Sequence, residues 1–410
     1  MANILSLRCR ECSREYPVEP LNVCEFCFGP LEVVYDYDAI KKSTSRKKIA
    51  AGPRSMWRYA DFLPVDYNPI VDINAGFTPL IRSRNLAKVL GLNELYIKND
   101  SVNPSYSFKD RVVAVATAKA LEFGFETIAC ASTGNLAGAV SAHAARAGMK
   151  AYVFIPSNLE AGKVLSAAIY NATIVAVDGS YDDVNRLCSE LADKYRWAFV
   201  NINVRPFYAD GSKSLGYEVA EQLGWRAPVH AIAPAASGAM FTKIWKGLNE
   251  FADVGLIDSA VPTHMHLAQA AGCAPIAEAY LDDRFIIKPV KPNSVAKSLA
   301  IGNPADGYYA LKTIEASGGS AVVVPEDQVA EGVKLLARTE GIFTEGAGGV
   351  AISGLKQLVE SGKIGPDDLT VVYITGNGLK TVELVQDVVR PINIAATVDA
   401  FESAVPASVT

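Results

Sequence analysis

From about residue 94 onward the chain alternates between short, apolar, β-branched runs and longer stretches of helical period. ELYIKND, TIACAS, AYVFIP, TIVAVDG, AFVNI, VHAIAPAA, AVVVPE and TVVYITG read as strands. Residues 108–123, 135–147, 160–171, 181–194, 212–223 and 241–252 read as the helices between them, with a further helix after AVVVPE. Strands this apolar are buried on both faces. Their alternation with helices predicts an α/β fold of parallel sheets covered by helices. The chain has 410 residues, more than one hydrophobic core usually serves, so two domains are expected.

Ahead of this region the pattern differs. Residues 1–37 hold four of the seven cysteines and end in LEVVYDYDAI, a strand running into a turn. Residues 38–66 are polar and basic and read as a linker or arm. The basic run KKSTSRKK reads as solvated rather than as a nucleic-acid patch, because the net charge is −5. No apolar run is long enough to cross a membrane, and MANILSLRCREC lacks the layout of a signal peptide. An odd cysteine count suits free thiols or a metal better than a full disulfide set, so a reducing cytoplasm is expected.

In α/β folds ligands sit beyond the carboxyl ends of strands, where helices begin. Three such junctions are polar and small: Ser132-Thr133-Gly134-Asn135, PAASGAMFT at 234–242, and YITGNGLKT at 373–381. Small residues let backbone amides approach an anion, and the helix start adds a positive dipole end. The same residues are also ordinary helix caps and turns. Neither a P-loop nor a G-x-G-x-x-G pattern follows a strand, which argues against a nucleotide site.

Lys109, in NPSYSFKDR, stands at a fourth such junction. A cation is electrostatically misplaced at a helix start. Desolvation lowers a lysine's pKa and makes its amine a usable nucleophile. A Schiff-base lysine beside a phosphate socket and a carboxylate socket is what pyridoxal phosphate and an amino-acid substrate require. Asp110 and Arg111 read as capping and salt-bridging residues.

NPSYSFKDR resembles the cofactor-lysine segment of fold-type II pyridoxal-phosphate enzymes, in the superfamily of the tryptophan synthase β chain. ASTGNLAGAVSAHAARAGM resembles their substrate-carboxylate loop, and YITGNGLK resembles a segment of the threonine synthases. The leading LRCRECSREYP…VCEFCFGPLEVVYDYD is similar to the amino-terminal segment of one branch of that family. The resemblance runs from about residue 7 to 390. It implies two parallel-sheet domains, a large one from 38–110 plus 205–395 and a small one from 111–204, after a four-cysteine segment at 1–37. It also implies pyridoxal 5'-phosphate as cofactor, O-phospho-L-homoserine as substrate and a homodimer.

The same resemblance assigns roles. Lys109 would hold the cofactor and then act as acid and base, with Phe108 near the ring. Asn135 would hydrogen-bond the cofactor's phenolic oxygen, and Thr375 would face its pyridine nitrogen. Ala236, Ser237, Gly238 and Ala239 would wrap its phosphate. Ser132, Thr133 and Gly134 would grip the substrate carboxylate, with Arg205, Lys213 and Ser105 as candidate partners of the substrate phosphate. The sequence departs from its relatives in AASGAM, poorer in glycine and asparagine, in Asn377 for histidine and in Leu136 for threonine. The implied reaction eliminates phosphate from the γ carbon and adds water at the β carbon.

Cys9 and Cys12 form one C-x-x-C pair, Cys24 and Cys27 another. Four thiolates make a tetrahedral set, so a structural zinc and an unmetallated hairpin are both open. Cys130, Cys188 and Cys273 read as buried apolar residues. For the whole chain three alternatives stand beside threonine synthase. They are a related pyridoxal-phosphate lyase or β-replacement enzyme (cysteate synthase-like or threonine dehydratase-like), a zinc-ribbon module on a silent scaffold, and a dehydrogenase.

Overall fold

A computed structural model describes residues 3–132, 134–157, 159, 161–179, 181–258 and 263–405. Its strands form three sheets. The largest has six strands in the order Ser320–Val324, His264–Ala270, His230–Pro234, Thr370–Ile374, Leu95–Asn99, Leu80–Arg82. All its neighbours are parallel except the edge strand Leu80–Arg82. A second, four-stranded parallel sheet runs Thr173–Val177, Lys150–Pro156, Thr127–Ala131, Ala198–Phe199. A small antiparallel sheet of Glu15–Tyr16, Ile4–Cys9 and Leu31–Tyr35 carries the paired cysteines.

The chain's last strand, Thr370–Ile374, enters between His230–Pro234 and Leu95–Asn99. Every residue of Thr370–Ile374, His230–Pro234 and Thr127–Ala131 is buried, as parallel strands covered on both faces must be. The helix Lys109–Glu122 is buried on all sides from Asp110 to Ala120. Its alanines and valines explain why it is tolerated there. Its charges must find partners, and they do: Arg111 pairs with Asp100 at 2.6 Å and with Glu218 at 2.5 Å.

Two expectations change. Residues 38–66 are not a free arm: they form the helices Tyr37–Ser43 and Arg46–Ala50 and the 3-10 helix Met56–Phe62. Ile40, Ile49, Trp57, Tyr59 and Phe62 are buried in the main core. The charged residues between them masked this apolar set. The strand His264–Ala270 escaped the pattern because His264, His266 and Gln269 interrupt its apolar run.

Those interruptions are all satisfied: His264 by the Ser317 carbonyl, Gln269 by the backbone of Ala235, Ile276 and Ala277, and His266 by side chains. At the amino ends of the strands, opposite the helix starts, His230 Nδ1 lies 2.9 Å from His266 Nε2. His266 Nδ1 lies 2.8 Å from Ser320 Oγ, and His230 Nε2 lies 3.3 Å from Asp368. Burial, then the neighbouring histidines, pushes His266 down to about 3, and burial also lowers His230. Both rings are therefore neutral in the folded protein at pH 7, while the unfolded chain protonates them below about pH 6.5. Stability should fall as pH drops from about 6.5 toward 3, with His266 alone contributing roughly 2–3 kcal/mol of loss by pH 4. Urea midpoints across this range should show it, and His266→Gln should flatten the slope.

Candidate active site

Four strand ends deliver their following turns to one cavity of about 910 Å³. Leu95–Asn99 leads, by a short 3-10 turn, to Phe108 and Lys109; Thr127–Ala131 leads to Ser132, Gly134 and Asn135. His230–Pro234 leads to Ala236–Ala239, and Thr370–Ile374 leads to Thr375, Asn377 and Lys380. The cavity thus lies where the two parallel sheets face each other across their carboxyl ends.

Lys109 is the first residue of its helix, and its amine donates to the Tyr208 hydroxyl at 3.2 Å. Among the described residues no carboxylate lies within ion-pairing distance of it. Burial pulls the amine down to about 8, against the opposing pull of the Glu345 carboxylate. The ammonium also lies 4.6 Å from the centre of the Phe108 ring. Phe108 is held in turn by its backbone N–H, which donates to the Thr375 carbonyl at 2.9 Å.

Asn135 opens the helix Asn135–Ala147, and both ends of its amide are engaged. Its Nδ2 donates to the two oxygens of Glu345 at 3.0 Å each, while its Oδ1 accepts from Lys380 Nζ at 2.9 Å. Lys380 also donates to the Ser105 carbonyl at 2.6 Å, and burial lowers its pKa. A lysine on Oδ1 fixes the amide so that the NH₂ group faces Glu345. Gly376 lets Glu345 come this close: a Cβ there would lie 2.3 Å from the carboxylate.

Ser132, ahead of the helix Asn135–Ala147, accepts from the backbone N–H of Gly134 at 3.1 Å and of Ala137 at 3.0 Å. Thr133, singled out with it, lies outside the described residues. Ala236–Ala239 end at the helix Ala239–Asp253, which has no side-chain cap, so its first amides stay available to an anion. Gly238 has φ +94, and a Cβ there would lie 2.9 Å from the Asp306 carbonyl. A glycine is therefore required for this close turn.

Arg205 lines the cavity and pairs with Asp306 at 2.7 Å. Of the other two phosphate candidates neither lines the cavity. Lys213 is buried against Asp210 at 3.2 Å and Glu250 at 3.1 Å, and Ser105 donates to Asp110 at 2.7 Å. Sequence reasoning missed Tyr208, Asp306 and Glu345, and quoted Lys380 without giving it a role. Glu345 directly precedes the small-residue start of the helix Gly346–Glu360, a signal of the kind used for the other junctions.

The residues present fit pyridoxal phosphate. A lysine amine held near neutrality, an uncapped helix start and a cavity of this size are what the group needs. Thr381 Oγ1 is buried in the same cavity and has no hydrogen-bond partner among the described residues.

The four thiols also gather. The sulfurs of Cys9, Cys12, Cys24 and Cys27 all lie within 4.8 Å of one another, with Cys9–Cys27 at 3.4 Å and Cys12–Cys24 at 3.6 Å. A tetrahedron with zinc–sulfur bonds of about 2.3 Å has edges of about 3.8 Å, so the set fits a metal of that size.

Residues 71–376 match the family described as "Pyridoxal-phosphate dependent enzyme". The chain is 41% identical over 377 residues to the threonine synthase of Methanocaldococcus jannaschii, covering 91% of this chain and 92% of that protein. It is 37% identical over 403 residues to the threonine synthase of Methanosarcina acetivorans, covering 97% and 98%. Among solved structures its fold is similar to diaminopropionate ammonia lyase from Escherichia coli, with TM-score 0.65, 18% identity and coverage of 80% and 95%. It is also similar to threonine deaminase isoform 2 from Solanum lycopersicum, with TM-score 0.64, 20% identity and coverage of 77% and 85%.

Proposed function

This chain belongs to the threonine synthases, within the pyridoxal-phosphate dependent enzymes, and we propose that it makes L-threonine and phosphate from O-phospho-L-homoserine and water at the Lys109 cavity. The observation that carries this placement is the Lys109 amine: buried, near neutrality, and met by all the strand-end sockets. When bound, pyridoxal phosphate supplies an aldehyde that takes up an amine and a ring that spreads the charge of a carbanion.

The chain's own residues do the rest. Lys109 would hold the cofactor, and its amine would take the substrate's α and then its β proton. A pKa of about 8 lets this amine both accept and return protons near neutral pH. Tyr208 keeps it oriented through the 3.2 Å hydrogen bond. Asn135, whose Oδ1 is held by Lys380 and whose NH₂ group is held by Glu345, would turn that NH₂ group from Glu345 to the cofactor's phenolic oxygen. Ala236–Ala239 would hold the cofactor phosphate with backbone amides, and Thr375 would be a neutral partner for the pyridine nitrogen. Ser132, Thr133 and Gly134 take the substrate carboxylate, and Arg205 takes its phosphate. Phosphate leaves the γ carbon and water adds to the β carbon.

The same proposal includes a structural zinc on Cys9, Cys12, Cys24 and Cys27, since four thiolates leave no open position for chemistry. It includes a division into the four-cysteine segment 1–37, a large domain of 38–110 plus 205–395 and a small one of 111–204. It also includes a homodimer working in the cytoplasm. Among the described residues no helix is long and apolar enough to cross a membrane.

The reaction is tested by incubating the holoenzyme with O-phospho-L-homoserine and, separately, O-phospho-L-serine. Equal amounts of phosphate and threonine from the first substrate are expected. Turnover of the second alone would move the function to a lyase or β-replacement reaction on the same site.

A further inference from the structure

The cysteine segment touches the helix Gly307–Ala316, whose N-cap residue Asp306 lines the cavity, through two side chains between Cys9 and Cys12. Arg10 lies over the ring of Tyr309, with its guanidinium carbon 3.4 Å from the ring centre. Glu11 accepts a hydrogen bond from the Tyr309 hydroxyl. The loop that carries them is fixed by the sulfur cluster itself: Glu11 N–H donates to Cys9 Sγ at 3.4 Å, and Arg10 N–H donates to the Pro30 carbonyl at 3.0 Å.

Tyr309 lies in the first turn of the helix Gly307–Ala316, which begins against the turn at 236–239. Asp306, the N-cap residue, donates its N–H to the Ser237 carbonyl at 3.0 Å. Its carboxylate holds Arg205 at 2.7 Å. A Cβ on Gly238 would lie 2.9 Å from the Asp306 carbonyl and 3.1 Å from Ala310. Any shift of this helix start therefore moves the turn and Arg205 together.

We propose that the four-thiolate segment is a positioning element for the cofactor-phosphate turn, acting through Arg10 and Glu11 on Tyr309 and through Asp306 on Ser237, Gly238 and Arg205. This rests on the reading of 236–239 as the phosphate turn and of the thiols as a zinc site. A metal on four sulfurs removes the freedom of the loop between Cys9 and Cys12. Tyr309 then meets a fixed carboxylate and a fixed guanidinium, and the helix start is held before the cofactor arrives. Such preorganisation raises affinity without adding a contact to the ligand.

The test is titration of cofactor-free protein with pyridoxal phosphate, followed by visible absorbance and tryptophan fluorescence, with zinc measured on the same samples. Tyr309→Phe keeps the ring under Arg10 and removes only the hydroxyl. It and Glu11→Gln should each weaken cofactor binding about tenfold, and the pair together by no more than either alone. Zinc content should match the parent, and turnover at saturating cofactor should be retained while the cofactor requirement rises. Stripping zinc from the parent should reproduce the weakening, and stripping it from Tyr309→Phe should add nothing. Unchanged cofactor affinity in both variants and in the stripped parent overturns the proposal. A parent without zinc whose Tyr309→Phe variant still binds weakly removes the metal reading and leaves the contact. Gly238→Val checks the turn by itself: if it binds cofactor like the parent, the phosphate-turn reading fails and this route fails with it.

Discussion

Lys109→Ala should give a folded chain that releases neither phosphate nor threonine, with turnover reduced at least ~10³-fold, because attachment and proton transfer are lost together. Among the described residues its amine combines a neutral hydroxyl partner, no ion pair and a place at the wall where four strand ends meet. Borohydride should fix the cofactor covalently to the parent and leave it dialysable from the variant. The variant should unfold at no lower urea concentration than the parent. Its amine is pulled from 10.5 to about 8, so the folded state binds that proton less tightly than the unfolded chain does. Removing the group removes that penalty at neutral pH. The parent should capture cofactor faster as pH rises through about 8, since only the neutral amine attacks. A variant that still released threonine would move the catalytic amine elsewhere.

Arg111→Ala should be the most destabilising single change near the site, costing about 3–5 kcal/mol. Its guanidinium donates to Asp100 at 2.6 and 2.8 Å and to Glu218 at 2.5 and 2.8 Å, with Thr78 and Ser214 completing its partners. Lys98 also pairs with Glu218, at 2.6 Å. Burial alone would raise the Glu218 carboxyl, but Arg111 and then Lys98 outweigh it and hold it at about 2. Without Arg111, two fully buried carboxylates share one ammonium. Urea unfolding should show the loss, with Lys88→Ala, on a surface helix, within experimental scatter of the parent. Arg111→Lys should recover only part, because an ammonium cannot bridge both carboxylates with paired bonds. Since Arg111 follows Lys109 by two residues, the same variant should also capture cofactor poorly.

Much of this was legible without coordinates, because it is local. Strand period, helix period and the small polar junctions between them are set by residues within a few positions of one another. That is why Phe108, Lys109, Asn135, Gly238 and Thr375 could be singled out, and all of them line the cavity. Other features were hidden because they depend on partners far along the chain. Glu345 meets Asn135 across 210 positions, and Asp306 meets Arg205 across 101. Lys213 stood as a candidate partner of the substrate phosphate, yet is spent on Asp210 and Glu250. The strand His264–Ala270 reads as polar until His266 is seen to meet His230 of the neighbouring strand and His264 the Ser317 carbonyl.

The sequence by itself determined most of the strands and helices from residue 94 onward, which turns could receive an anion, and which lysine stands at a helix start. Backbone propensity and burial period act over a few residues, so they can be read from a few residues. The tertiary structure alone decided that Thr370–Ile374 enters between strands drawn from distant parts of the chain. It also decided that Lys109 loses its water, that Glu345 reaches Asn135, and that the cysteine segment rests on Tyr309. Desolvation and charge pairing depend on distance in space, and chain closure sets those distances only when both sheets have formed.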